Sequence, residues 1–263
     1  SNFMPAPLQG ERNGEVCDGG EEGPPVFSFA ACGWLKTYFF GVAKALQETG
    51  WAEGAHYAGS SAGALVGTAL ALGLDFEKIK DFQVGCVKRT HASILGAFNL
   101  ATYIKEIMDM MLDATSFARA SGRVEVSITT LPWMQNRRVH DFRDDEHLRQ
   151  ALLASCCMAP LVGTPFRFDG DLVYDGGVSD WIQHGLFTAP PTTRDFPKSR
   201  KIFVTPFWFS RDADIRPSQY VPVWWGLYPP RVDQVEWLFR LGYQDALDWA
   251  HAQAGGPPVK RAA

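Results

Sequence analysis

The segment Gly59-Ser60-Ser61-Ala62-Gly63 constrains this chain more than any other stretch of it. A Gly-x-Ser-x-Gly run between a short β-like stretch and a small-residue helix turns a strand sharply into that helix, with the serine at the bend. Side chains in place of Gly59 and Gly63 would collide with neighbouring backbone in so tight a turn. The apolar run Ala64-Leu65-Val66-Gly67-Thr68-Ala69-Leu70-Ala71-Leu72 that follows predicts a helix packed on several sides. Serine is a poor nucleophile, so Ser61 would gain from the helix N-terminus beneath it and from a nearby base. The same residues also suit a strand-to-helix turn without chemistry, and the surrounding chain has to decide.

The pattern around the bend alternates strands with helices. Val26–Ala30 reads as a first strand, a helix from Gly33 to about Thr49 keeps Leu35, Phe39, Val42, Ala43 and Leu46 on one face, and His56–Ala58 leads into the bend. Asp75–Lys88 predicts another helix, and residues 91–120 one or two more. Arg123–Thr130 alternates as a half-exposed strand with Gln135–Phe142 as its return. Asp144–Cys156 predicts a helix with acidic residues in its first turn, Phe166–Val173 a hairpin, and Lys201–Thr205 a late strand. This order implies an α/β fold with a mostly parallel central sheet. Residues 1–24 read as a disordered N-terminal arm, 25–252 as one domain and 253–263 as a flexible tail.

A second anomaly is Tyr174-Asp175-Gly176-Gly177-Val178-Ser179-Asp180. Asp-Gly-Gly is a common β-turn sequence. Locally that turn is the first reading, but an aspartate there can also be presented uncrowded, as a general base must be to its nucleophile.

Composition excludes several classes. The net charge is −4 and no Lys/Arg run exceeds two, against a nucleic-acid footprint. The five cysteines lack metal-ligand spacing and include one vicinal pair, Cys156-Cys157, so free thiols in a reducing compartment are expected and no metal site. The polar segment Ser1–Gly23 does not read as a signal peptide, and no apolar stretch reaches the roughly 20 residues of a bilayer span.

Taken together, these segments resemble the patatin-like phospholipase family, and within it the animal branch that includes adiponutrin and adipose triglyceride lipase. The resemblance rests on Phe27–Leu35 with Gly41–Leu46, on Gly59–Leu65, on Ala154–Cys157 with Asp175–Asp180, and on Leu241–Leu247. It implies a three-layer patatin-type domain, with the central mostly parallel sheet flanked by helices, and a serine lipid acyl hydrolase working through a Ser-Asp dyad and an acyl-enzyme. Ser61 would be the nucleophile and Asp175 the base. Gly59 and Gly63 would shape the nucleophile elbow, and Gly176 and Gly177 the acid turn. An oxyanion hole would be made by the N–H groups of Cys32, Gly33 and Trp34. The resemblance also implies a glycerolipid substrate, no metal or organic cofactor, and a cytoplasmic protein peripherally bound to a membrane or lipid droplet, with a protein activator as a further partner.

The chain departs from the family at one loop. A Gly-x-Gly-x-x-Gly pattern is replaced by Ala31, Gly33 and Lys36. If the first position needs a positive φ, Ala31 strains the loop by roughly 1–2 kcal/mol. Lys36 could point to solvent, contact a phosphate or crowd the cleft. These departures motivate a second reading, a catalytically weak lipid-binding or regulatory protein. A transacylase using the same dyad is a third. Other features carry two readings each: a Ser61–Asp175 triad completed by His184 or His251 against surface histidines, a lipid-facing or core-covering role for Trp224-Trp225, a solvated hairpin end or headgroup contacts for Arg137-Arg138, and a flexible core or an acyl groove for Met108, Met110 and Met111.

Overall fold

A computed structural model describes residues 23–93, 96–253 and 256. The arm and tail expected at either end lie almost wholly outside the described residues. Gly23 and Pro24 already belong to the first strand.

The first strand, β1 (Gly23–Phe29), is followed by a 3-10 turn (Gly33–Leu35) and helix α1 (Lys36–Glu48). Next come β2 (His56–Ser60) and α2 (Ala62–Ala71), every residue of which is buried. Three further helices, α3 (Phe76–His91), α4 (Leu100–Met111) and α5 (Ser116–Ala120), lead to the hairpin of β3 (Val124–Leu131) and β4 (Gln135–Val139). Helix α6 (Asp145–Ser155) precedes a second hairpin, β5 (Phe166–Phe168) and β6 (Asp171–Asp175). The last elements are α7 (Gly176–His184), β7 (Ser199–Val204) and α8 (Val232–Ala252).

Short polar side chains set several of these boundaries. Asp75 accepts hydrogen bonds from the Glu77 and Lys78 N–H groups, and Asp144 from His147 N–H, so α3 and α6 start where their orphan amides find a carboxylate.

The seven strands form one mixed sheet. Strands β7, β1, β2 and β3 run parallel, while β4, β5 and β6 add antiparallel pairings beyond them. Helices flank this sheet. On β1, Phe27 and Phe29 share a face, as alternate residues of a strand must. Phe27 meets Trp249 of α8 edge-on and Phe29 meets Phe39 of α1. Helices α1 and α8 are also joined by a buried hydrogen bond from the Tyr38 hydroxyl to Asp245, 3.0 Å.

The register of β3 positions the site. Val126 and Ser127 pair with β4 on one side and with Gly59 and Ser60 of β2 on the other. Ile128, Thr129 and Thr130 pair again with β4, but opposite to it with Asp175, Tyr174 and Val173 of β6. Strands β2 and β6 therefore share one edge of β3 and run toward each other. They meet end to end, Ser60 opposite Ser127 and Asp175 opposite Ile128. Residues far apart in sequence are brought together by this single shared edge.

Candidate active site

At the end of β2, Ser61 adopts φ 53° and ψ −123°, a region that costs of order 1–3 kcal/mol for a residue with a side chain. The surrounding packing holds it there. Its N–H donates to the buried Ser155 hydroxyl at 2.8 Å. A Cβ on Gly59 would overlap the backbone at Gly63 and Ala64, and one on Gly63 would overlap the Phe29 carbonyl. The elbow glycines are thus required by close backbone approach. The Ser61 side chain makes no capping bond to its own helix.

At the end of β6, Asp175 is fully buried. Its N–H donates to the Cys157 carbonyl at 3.0 Å, and its own carbonyl accepts from the Thr129 hydroxyl at 2.6 Å. Carboxylate Oδ1 accepts from Gly177 N–H at 2.8 Å, capping α7, while Oδ2 has no hydrogen-bond partner. The Asp-Gly-Gly sequence is therefore a strand-to-helix junction, and the β-turn reading does not hold. Gly176 lies against the Ser127 carbonyl with no room for a Cβ, and a Cβ on Gly177 would overlap the Ala31 methyl.

Burial pushes the Asp175 carboxyl up to about 7, helped by the charge of Asp180; the Ser61 side chain and the Gly177 N–H oppose the rise. The Ser61 side chain lowers the Asp175 carboxyl, while Oδ2 is left without a hydrogen-bond partner. Such unmade bonds are usual in unliganded sites and form when substrate arrives.

Ser61 and Asp175 open into one cleft of about 660 Å³. Its lining is apolar, with Leu65 and Ala62 from α2, Leu100 and Ile104 from α4, and Trp181, Phe187 and Phe207 opposite. Ala31, Cys32 and Gly33 form part of the wall. Gly33 has φ +56°, and a Cβ there would overlap the Gly226 carbonyl oxygen. The retained loop glycine is the one whose conformation and packing demand it. Ala31 has no positive φ, so the strain expected of it is absent. Among the described residues, the N–H groups of Cys32 and Gly33 find no acceptor within the protein. Trp34 is buried in the 3-10 turn, with its ring edge-on to Tyr103.

Lys36 does not reach solvent. It is 5% exposed, lines the cleft and sits with its ammonium 4.7 Å from the Trp34 ring centre.

Other expectations fare differently. His184 and His251 are both exposed and neither lines the cleft, so no triad is assembled through them. Met108 and Met111 are core residues and Met110 is exposed; α4 offers the cleft Leu100 and Ile104 instead. Arg137 pairs with Asp169 and Asp171, and buried Arg138 lies between Glu125 and Asp180. Trp224 is 60% exposed at the cleft mouth whereas Trp225 is buried, so the two roles weighed for that pair are divided between them. Sequence reasoning missed Ser155 as the anchor of the elbow and Gly226 as the partner of the loop. It also missed Ala62, whose N–H follows the serine and is one of the orphan donors of a helix start.

Comparisons with known proteins bear on the family of the chain. The model of the patatin-like phospholipase family matches residues 27–182, which include the loop after β1, the elbow and the acid junction. Human patatin-like phospholipase domain-containing protein 2 is 34% identical over 161 residues, 58% of this chain and 32% of its own length. Mouse omega-hydroxyceramide transacylase is 24% identical over 257 residues, 89% of this chain and 42% of its own. The chain thus spans less than half the length of these relatives. The crystal structure of VipD from Legionella pneumophila superposes with a TM-score of 0.51 at 12% identity, covering 88% of this chain and 67% of that one, a likeness of fold alone. No helix among the described residues is long and apolar enough to cross a membrane. Matched over more than half its length, across both junctions that build the cleft, the chain belongs to the patatin-like phospholipase family.

Proposed function

We propose that this chain is a serine acyl hydrolase of glycerolipids, with Ser61 as nucleophile and Asp175 as its base. The observation that carries the reading is the Asp175 carboxylate. One oxygen is fixed by Gly177 N–H and the other is buried without a partner, beside a strained serine in the same apolar cleft. An unpaired buried polar atom is costly, and its persistence at such a place suits a proton acceptor.

In the reaction, Ser61 Oγ attacks the ester carbonyl while its proton passes to Asp175 Oδ2. The tetrahedral oxyanion is held by the N–H groups of Cys32 and Gly33, with Trp34 and Ala62 as further backbone donors. Collapse expels the alcohol, which takes the proton from Asp175, and leaves an acyl-Ser61 ester. Water, deprotonated by Asp175, then attacks that ester, and the acid is released with Ser61 regenerated. A carboxylate of ordinary pKa is a weak base for a hydroxyl; burial that raises Asp175 to about 7 improves the match at neutral pH.

An apolar cleft with an aromatic mouth supports a lipid substrate. Tyr220, Trp224 and Leu227 line it and are each at least 60% exposed, suited to insertion at a membrane or lipid-droplet surface. Transfer of the acyl group to an alcohol instead of water is a second reading of the same residues, favoured by the similarity to a relative whose name is transacylase.

The test is hydrolysis of a short-chain p-nitrophenyl ester and of phospholipid and triacylglycerol emulsions by wild type and Ser61→Ala. Turnover confined to wild type supports the reading. Equal turnover by the serine variant overturns it.

A further inference from the structure

Lys36 places a buried amine where no acidic side chain among the described residues pairs with it. It is the sole basic residue lining the cleft among the described residues, and no carboxylate lies within ion-pair distance of its ammonium. Its neighbours are the Trp34 ring and the thiols of Cys32, Cys86 and Cys156. Burial raises all three thiols, so they stay neutral and supply no counter-charge. Among the described residues Asp175 is the only acidic one in the lining, and the reading above gives its unpaired oxygen to Ser61. Burying an ammonium without a partner is costly, and a glycine, alanine or leucine at position 36 would avoid that cost.

The placement gives the charge a use. Lys36 is the first residue of α1, one helical turn beyond Cys32 and Gly33, and all three residues line the same cleft. An ester bound with its carbonyl at those amides would hold its flanking groups within reach of the Lys36 side chain. The same cleft is lined by the apolar side chains of Leu65, Leu100 and Ile104.

Resting on the hydrolase reading above, we infer that Lys36 pairs with an anionic oxyacid group of the bound amphiphile, so that the cleft selects lipid esters carrying a negative charge over neutral ones. A phosphate headgroup and the carboxylate of a fatty acid share this chemistry. A bound anion would restore the charged state that burial disfavours in Lys36, and the ring of Trp34 would hold the ammonium in place meanwhile.

Two measurements test this in wild type, Lys36→Met and Lys36→Gln, each first checked for native circular dichroism. The first compares kcat/KM for 1-oleoyl lysophosphatidate and 1-monooleoylglycerol in micelles of an uncharged detergent. The ratio of anionic to neutral substrate should fall by about tenfold or more in both variants, the size of a lost charge-assisted bond. A ratio that does not move, including one where both substrates slow equally, overturns the inference. The second measures binding of decyl phosphate, decanoate and decanol by titration calorimetry, without turnover. Wild type should bind decyl phosphate, decanoate or both about tenfold more tightly than decanol, and the variants should lose that gain. Which anion gains assigns the partner to a headgroup or to a fatty carboxylate. No gain for either anion overturns the inference. If wild type cleaves no ester at all, the hydrolase reading fails and the binding arm still decides the role of Lys36.

Discussion

Ser61 and Asp175 stand at two junctions of the same kind, each the point where a strand on one edge of β3 passes directly into a helix. They differ in every local respect. Ser61 takes a strained φ of 53° and leaves its side chain unbound to its helix. Asp175 takes φ −50° and ψ 127°, and spends one carboxylate oxygen on capping α7. The strained junction exposes a small nucleophile at a sharp tip. The relaxed one clamps a carboxylate by its backbone and by one oxygen, so that only Oδ2 is left to work. A nucleophile needs projection and a base needs immobility, and the two junctions meet those needs by opposite means.

The largest effects should come from breaking one junction at its chemistry. Ser61→Ala should abolish ester turnover. Asp175→Asn should lower kcat by about 10²–10⁴-fold, the range of a lost general base, with KM little changed. The amide preserves the cap on Gly177, so circular dichroism should be native.

The next effect concerns pH. The folded pKa of Asp175, about 7, lies above the ordinary carboxylate value of roughly 3.9. A raised acid pKa means that protonation stabilises the fold. That contribution is full below about pH 4 and is lost as pH rises through about 7. Asp175→Asn should therefore raise the melting temperature at pH 8 while leaving it nearly unchanged at pH 4, since the neutral amide avoids the buried charge. Activity of wild type should run the other way, rising with a midpoint near pH 7 as the base form appears. A pH–rate profile flat from 5 to 8 would dissociate Asp175 from the rate.

Smaller effects should separate the shaped loop from its substituted neighbour. Gly33→Ala meets both a positive φ and the Gly226 carbonyl, and should destabilise the protein by about 1–3 kcal/mol or more in urea unfolding. Ala31→Gly removes a methyl that strains nothing and should cost less than about 1 kcal/mol. Equal costs at the two positions would mean that the loop is not held as described. The smallest change expected is from Trp224→Ala, which should reduce turnover on emulsions by about tenfold at most and turnover of a soluble ester less.

The same contrast explains what the sequence could and could not reveal. The elbow was legible because a strained turn with close backbone on both sides admits few residues, and Gly59 and Gly63 advertise it. The relaxed junction was not, because Asp-Gly-Gly also serves an ordinary turn, and helix α7 after it is only nine residues long. The family resemblance supplied Asp175 where local reading left it open. The alternation of strands and helices was legible from hydrophobic period, with ends shifted by a few residues. The shared edge of β3 was not, since it depends on register between three strands. Burial of a lone lysine ran against the usual preference of that residue for solvent, so the side chain of Lys36 could only be found in the fold. The methionines of α4 allowed both a core and a groove reading, and Met108 and Met111 complete the core while Met110 is exposed.

The most direct test of the Ser61–Asp175 pairing is labelling by a fluorophosphonate, with the modified residue located by peptide mass spectrometry in wild type and Asp175→Asn. The account predicts a single adduct on Ser61 in wild type, formed at least about a hundredfold more slowly in the aspartate variant. An adduct on another residue, or equal rates in the two proteins, would contradict it.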